Sequence, residues 1–437
     1  MADQAGYDNR MSRPKPNPEA VSLPQRSETA SGRSGFPLAD ADLCVKCGLC
    51  LPHCPTYRLF QDESESPRGR ISLMQGLATG QLEASSRLEK HLNQCLGCRN
   101  CEPVCPANVP YGRLIDHGRN LLAQRRTRPR SERLAAWAFG RPRVLTGLAR
   151  ALRLVERLGL RRLARLSLLK LSSRLRRLDA LLPESRPIRR RPEKSGDGEP
   201  VQLFLGCIAE AVDSPVTDAA LRLLTATGYE VHIPTQQGCC GAVSQHGGDL
   251  AQANQHAKQN VGAFSGDTPI LASASGCTAT LMEYPELQDD TAHRQFSRRV
   301  HDLCAFLAEE ESLRNIEWRT LNARILLHTP CSQRNVVGAG PHALELIKRL
   351  PGAHVEALEG QGQCCGAAGA YLLSQPDIAD RLGKQLADKA LLHRPDFVLT
   401  TNIGCKLQLR AQLASRLPDC EVLHPVELLA RQLPPDP

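Results

Sequence analysis

Two short stretches decide how this chain folds: G-C-C-G-A at 238–242 and Q-C-C-G-A at 363–367. Each sits in the middle of a larger unit that occurs twice. V-Q-L-F-L-G-C at 201–207 is paralleled by R-I-L-L-H-T-P-C at 324–331, and I-L-A-S-A-S-G-C at 270–277 by V-L-T-T-N-I-G-C at 398–405. The paired cysteines Cys207 and Cys331, Cys239 and Cys364, and Cys277 and Cys405 are offset by 124, 125 and 128 residues, so two related units follow one another. Within each, apolar runs at 203–205 and 325–327 read as strands. Helical patterns at 219–224 and 343–350 end near Gly228 and Gly352. Strands alternating with helices predict a parallel sheet covered by helices. Its ligands should gather at the carboxyl ends of the strands, where the first and last cysteine of each unit fall.

Each unit therefore offers four thiols from three loops: Cys207, Cys239, Cys240 and Cys277 in the first, Cys331, Cys364, Cys365 and Cys405 in the second. Adjacent cysteines can hold two different metal atoms, and the glycine after them lets the backbone approach closely. A disulfide reading fits poorly, because neighbouring cysteines seldom bridge each other. A cluster, a zinc ion and buried inert thiols all stay open. Cys304 and Cys420 have no counterparts in the repeat and read as core thiols.

Upstream lies a second doubled pattern, C-V-K-C-G-L-C-L-P-H-C-P at 44–55 and C-L-G-C-R-N-C-E-P-V-C-P at 95–106. Three thiolates two residues apart can wrap three corners of a cube from one tight loop, and the fourth corner needs a remote ligand. Pro55 and Pro106 would stop a helix from running back into the site. A zinc ribbon would show two C-x2-C pairs, without a third and fourth cysteine in each run. The spacing C-x2-C-x2-C-x3-C-P is that of bacterial two-cluster ferredoxins, in which the last cysteine of each run ligates the other 4Fe–4S cluster. That pattern implies Cys44, Cys47, Cys50 and Cys105 for one cluster and Cys95, Cys98, Cys101 and Cys54 for the second. Between the runs, S-P-R-G-R at 66–70 reads as a loop leading into a helix with Ile71, Leu73, Met74 and Leu77 on its apolar face. Arg68 and Arg70 either offset cluster charge or are solvated loop arginines.

The rest of the 437 residues sets the frame. Eighteen cysteines without a secretory signal argue against a disulfide scaffold. No run of about 18 apolar residues predicts a membrane span. The net charge of +9 is concentrated in one place. From Arg119 to Arg191, 22 lysines and arginines stand against four acids, a balance of +18 that leaves −9 for the remainder. Leu145, Leu148, Leu152 and Val155, and Leu168, Leu171, Leu175, Leu178 and Leu182, step by three and four and predict amphipathic helices with arginine faces. Such helices suit a membrane surface, or packing on a partner subunit or on the chain's own domains. Nucleic acid is the weakest reading, since few aromatics and no binding motif accompany the basic run.

The division expected is a disordered stretch at 1–36, a two-cluster ferredoxin-like domain at 37–124, an Arg/Leu-rich helical segment and linker at 125–200, and cysteine-rich domains at 201–320 and 321–437. The fold class is multidomain α+β: a helical two-cluster module, a basic helical linker and two tandem α/β domains.

The double Cys-Cys-Gly unit resembles the cysteine-rich domains of heterodisulfide reductases. With the two-cluster module before it, the order is similar to the iron–sulfur subunits of flavin-linked dehydrogenases, the glycolate oxidase and anaerobic glycerol-3-phosphate dehydrogenase subunits among them. C-P-T-Y at 54–57, P-R-G-R at 67–70, C-R-N-C-E at 98–102, G-C-C-G-A-V at 238–243, A-S-G-C at 274–277 and T-N-I-G-C at 401–405 carry a resemblance to the glycolate oxidase subunits. In heterodisulfide reductases each domain ends in C-x2-C. Here Thr280 and Gln408 stand three residues after Cys277 and Cys405, as in the glycolate oxidase subunits.

That resemblance implies an electron-transfer subunit without a catalytic residue of its own. It would serve a glycolate-oxidising complex, with FAD on partner subunits, a quinone-type acceptor and a cytoplasmic place at the inner face of the membrane. No G-x-G-x-x-G follows a strand here. Cubanes carry one electron at a time, so a flavoprotein must split the pair removed from a hydroxy acid. D-lactate or glycerol-3-phosphate remain alternative substrates. The rival readings are a catalyst of heterodisulfide reductase type working at its own Cys-Cys-Gly metal, and a zinc-bound structural scaffold.

Overall fold

The computed structural model describes residues 35–126, 142–166, 172–182, 191–358 and 364–434. The expected disordered stretch lies outside these, apart from Gly35 and Phe36, and Phe36 is fully buried in the first module. Parts of the basic segment, including Leu168 and Leu171, also lie outside.

Among the described residues nine strands form two sheets. The first contains β1 (Lys194–Ser195), β2 (Glu199–Phe204), β3 (Tyr229–His232), β4 (Ile270–Ala272) and β5 (Val300–Asp302) in the order β1-β3-β2-β4-β5. The second contains β6 (Ala323–His328), β7 (Ala353–Ala357), β8 (Phe397–Thr400) and β9 (Glu421–Leu423) in the order β7-β6-β8-β9. Apart from β1, which runs antiparallel to β3, every pairing is parallel. Removing β1 leaves the same strand order twice, so the repeat in the sequence is a repeat in topology. In both, the chain leaves the first strand to one side and returns on the other, which makes the gap between β2 and β4, and between β6 and β8, the switch point where ligands collect. Cys207 opens the helix after β2, and Cys277 lies in the helix after β4. Cys331 follows β6, and Cys405 lies in the helix after β8.

The two sheets share one core. Val201, Leu203, Leu223 and Leu303 of the first unit pack with Ile325, Leu327, Leu346 and Leu428 of the second, all at 2 % exposure or less. Helix Ser214–Ala226 lies on helix Pro425–Arg431, and Leu303–Glu309 on His342–Ile347. Gly228 and Gly352, at φ +84° and +78°, turn the chain from helix into strand as expected. Cys304 is a buried core thiol, and Cys420 packs against the edge of the second unit's core.

The N-terminal module is helical, with Leu38–Asp42, Pro55–Phe60, Pro67–Thr79, Ser86–Asn93 and Tyr111–Arg125 around a core of Ile71, Met74, Leu77, Leu92, Leu114 and Ile115. The expected loop at 66–70 is instead the start of a helix. Ser66 caps it by accepting from Gly69 N–H at 2.9 Å, and Pro67 takes the first helical position, where no amide donor is needed. Pro55 likewise opens a helix.

The basic segment forms helices Pro142–Arg157, Leu160–Leu166 and Ser173–Leu181. The first packs on helix Cys207–Val212 and the third on helix Ile403–Leu413, with Arg177 paired to Asp380 at 2.8 Å and Leu181 buried. The chain's own domains thus hold one face. Leu148, Leu154, Leu158 and Leu163, and Leu175 and Leu178, remain exposed on another.

A thiol-lined cavity and two rows of cysteines

Both ferredoxin-type loops bend in the same way. Lys46 and Gly97, at equivalent places in the two runs, have φ +57° and +61°; the next equivalent pair, Gly48 and Arg99, have φ +87° and +57°. Left-handed turns at both positions curl each loop. Two of the four positions hold non-glycine residues in a conformation that costs them energy.

Cys54, Cys95, Cys98 and Cys101 line one cavity, together with Pro55, Leu96, Arg70 and Tyr111. This is the second expected ligand set, with Cys54 arriving from the other run. Burial holds the Cys98 and Cys101 thiols well above the usual thiol range, and the neighbouring thiols add to the rise. Four soft sulfur donors brought to one cavity from two loops fit a 4Fe–4S group. A zinc ion would need its four sulfurs about 2.3 Å from one centre. Among the described residues no three His, Cys, Asp or Glu side chains converge that way. Tyr111 hydroxyl and Gly97 N–H each donate to Cys95 Sγ, at 3.6 and 3.4 Å. Cys44, Cys50 and Cys105 of the first set pack against the module's core, while Cys47 is exposed. Burial, with the nearby Cys44 and Cys54 thiols, pushes Cys50 up to about 11 despite an opposing backbone hydrogen bond.

The two arginines of P-R-G-R have separate roles. Arg70 is 1 % exposed. It is ion-paired to Glu65 and donates to Thr56 Oγ1 at 3.0 Å, Glu65 O at 2.6 Å and His91 O at 2.7 Å. Its charge lies close enough to Cys54, Cys95 and Tyr111 to interact with all three. Arg68 is half-buried, bonds Glu63, and donates to Lys46 O at 2.7 Å, so it braces the other loop. Gly69 between them has no room for a side chain, since a Cβ would stand 1.9 Å from Glu63 O.

In the repeats the Cys-Cys-Gly glycines do the same work twice. Gly241 and Gly366 have φ +89° and +81°, and each donates its N–H to the first cysteine of its pair at 3.4 Å. A Cβ on Gly366 would meet Ala379 O at 2.5 Å. The thiols form rows. Cys207 Sγ is 3.4 Å from Cys239 Sγ, and Cys239, Cys240 and Cys277 continue in contact. Cys331, Cys364, Cys365 and Cys405 follow the same order, with Cys365 and Cys405 2.7 Å apart. Hydrogen bonds from Cys207 and Cys240 hold Cys239 well below the usual thiol range. Thr280 and Gln408 turn away from these rows. Thr280 donates to Gly276 O at 3.0 Å and Gln408 to Ala379 O at 2.8 Å.

Residues 40–109 match the 4Fe-4S dicluster domain, and residues 201–282 and 325–410 each match the Cysteine-rich domain. Along most of its length the chain is similar to two curated proteins. It is 32 % identical over 400 residues to the probable glycolate oxidase iron-sulfur subunit of Bacillus subtilis strain 168, covering 84 % of this chain and 88 % of that one. It is 32 % identical over 404 residues to the glycolate oxidase iron-sulfur subunit of Escherichia coli strain K12, covering 89 % and 93 %. The chain belongs to the glycolate oxidase iron–sulfur subunit family. A more distant similarity, 23 % over 234 residues, joins 52 % of this chain to lactate utilization protein A of Bacillus subtilis strain 168. As a member of the glycolate oxidase iron–sulfur subunit family, the chain carries 4Fe–4S and cysteine-rich domains in that order. No helix among its described residues is long and apolar enough to cross a membrane.

Sequence reasoning missed Tyr111, Tyr371 and Asn335 near the thiols. It also left the C-R-N-C-E motif at 98–102 without a structural role. Arg99 reaches Glu102 at 2.6 Å and pairs with Glu283 of the first repeat, and Glu102 accepts from Gly112 N–H at 2.7 Å. Asn100 accepts from Asn335 of the second repeat at 2.6 Å. An asparagine set between two of the expected ligands was the available signal.

Proposed function

We propose that this chain is the electron-transfer subunit of a membrane-associated glycolate oxidase, passing electrons singly from an FAD-binding partner subunit toward a quinone-type acceptor. The observation that carries the reading is the convergence of Cys54 with Cys95, Cys98 and Cys101 on one cavity, in a chain that matches its relatives across both repeats. In this reading Cys44, Cys47, Cys50 and Cys105 hold one 4Fe–4S cluster, and Cys54, Cys95, Cys98 and Cys101 the other. The rows Cys207, Cys239, Cys240, Cys277 and Cys331, Cys364, Cys365, Cys405 hold further iron–sulfur centres. The cysteine-rich domains extend over 201–320 and 321–437, after a ferredoxin-like domain at 37–124 and a basic segment at 125–200.

Oxidising glycolate to glyoxylate releases two electrons, which the clusters accept one at a time, so the flavin partner is part of the function. The exposed Leu148, Leu154, Leu158 and Leu163, with exposed Arg150, Arg157 and Arg162 beside them, suit the inner face of the cytoplasmic membrane, where quinones dissolve. The test is electron delivery from the flavin to a quinone analogue in the assembled complex. Cys47→Ser and Cys98→Ser should each abolish it, and survival in both would remove the ferredoxin-type module from the path. Flotation with vesicles containing anionic lipid, but not with neutral ones, is the expected result for the basic segment.

A further inference from the structure

The two Cys-Cys-Gly sites repeat one another in topology, yet they meet the ferredoxin-type module differently. The first repeat docks through charge. Asp116 faces His246 at 3.1 Å and Gln245 at 3.2 Å, Arg119 donates to His246 O at 2.8 Å, and Arg99 pairs with Glu283. Cys240 and Cys277 of that repeat belong to a separate core built around Phe204, Phe264 and Phe296. Cys207 Sγ stands 3.4 Å from Cys239 Sγ within that repeat's own row.

The second repeat meets the same loop through its backbone carbonyls and through apolar packing. Asn335 donates to Cys98 O at 2.7 Å, and Tyr371 hydroxyl donates to Gln94 O at 2.9 Å. Leu96 and Cys98 share one apolar core with Cys364, Cys365 and Cys405. The Cys331 and Cys364 thiols lie within electrostatic reach of Cys98, and Tyr371 lies within reach of both Cys95 and Cys364. A hydrogen-bonded and apolar contact of this kind places two thiol sets side by side. The first repeat offers an ion-paired boundary instead.

We propose that the contact formed by Cys98, Asn335 and Tyr371 wires the site of the second repeat, and not that of the first, to the site held by Cys54, Cys95, Cys98 and Cys101. This rests on the reading that both sites hold iron–sulfur centres. One electron leaves the reduced centre of the ferredoxin-type module, which is thereby oxidised, and the centre of the second repeat is reduced by that electron. No bond forms or breaks. The flavin of the partner subunit supplies the electron, and a quinone-type acceptor removes it.

Magnetic coupling between neighbouring centres tests this independently of turnover. Microwave power saturation of the electron paramagnetic resonance signal from the ferredoxin-type module is measured in the full chain, purified anaerobically and reduced with dithionite. Cys331→Ser should lower the half-saturation power several-fold, because a fast-relaxing neighbour is lost, while Cys207→Ser should leave it as in the wild type. Cys405→Ser, at the other end of the same row, makes the same test where Cys331→Ser does not accumulate. An equal effect of Cys207→Ser, or no effect of either second-repeat variant, overturns the proposal. Wild-type protein with no ferredoxin-type signal at all would instead overturn the electron-transfer reading beneath it.

Discussion

Arg70 and Glu65 form an ion pair in which neither side chain is more than 4 % exposed, and the guanidinium forms part of the wall of the thiol-lined cavity. Burying a charge is costly unless it is paired and fully hydrogen-bonded. Both conditions are met, since Glu65 also faces His91 Nδ1 at 2.6 Å and Arg70 spends its remaining donors on Thr56, Glu65 and His91 oxygens. The pair therefore keeps one positive charge next to thiolates that carry negative charge when they bind iron.

Arg70→Met should destabilise the chain by about 3 kcal/mol, because Glu65 is left buried without its partner. It should also lower the reduction potential of the adjacent centre. In the double variant Arg70→Met, Glu65→Leu, stability should largely return while the potential stays low. Denaturant titration and a redox titration read the two effects separately.

Lys46→Gly should stabilise the first loop. Lys46 is exposed and holds φ +57°, a conformation costing a non-glycine residue about 1–2 kcal/mol, against which glycine's extra chain entropy must be set. The expected net gain is roughly 0.5–1 kcal/mol, seen as a higher denaturation midpoint with unchanged iron content.

Gly366→Ala should cost much more than Gly80→Ala. Both glycines have positive φ, +81° and +79°, so both variants suffer the left-handed penalty. Around Gly80 nothing lies within 4 Å of the added carbon, whereas at Gly366 it would meet Ala379 O at 2.5 Å. Gly80→Ala is expected to lose about 1 kcal/mol. Gly366→Ala should lose several, together with the N–H bond to Cys364 Sγ.

Two buried groups give stability opposite dependences on pH. His424 donates from Nε2 to Ser273 O at 2.9 Å and accepts from Val426 N–H at Nδ1, and burial lowers its pKa to about 4. The unfolded chain takes up that proton first, so His424's share of stability is lost as the pH falls from the ordinary histidine value of about 6.5 toward 4. Burial raises Asp302 to about 6, and its Oδ2 has no hydrogen-bond partner. Here the folded state holds the proton more tightly, so the contribution is fully present below about 3.9 and is lost as the pH rises through 6. Asp302→Asn should therefore remove the contribution that offsets His424, so stability falls more steeply than in the wild type between pH 6 and 4, by up to roughly 3 kcal/mol, in melts recorded across that range. A variant with the same slope as the wild type would show that Asp302 does not titrate there.

The readable parts of this protein are local. Cys44 to Cys54 and Cys95 to Cys105 carry their spacing in contiguous residues, and the three repeated stretches report the doubled sheet because strand, turn and cysteine follow one another along the chain. Patterns in the basic segment gave helices but not their partners, since an arginine face looks alike whether it pairs with Asp380 or meets water. Arg68 and Arg70 show the same limit. Two residues apart in one motif, one is half-buried and braces a loop, while the other is buried at the cavity wall.

The amino-acid sequence by itself determined the two cysteine runs, the order of the modules and the duplication of the cysteine-rich unit, because each depends on residues whose separation along the chain carries the pattern. Only the tertiary structure decided how each repeat meets the second cysteine run. Asn335 and Cys98 are 237 residues apart, and nothing in either stretch names the other. Their meeting follows from how two sheets with the same strand order pack around one shared core, leaving one repeat joined to the cluster loop through apolar contact and the other through ion pairs.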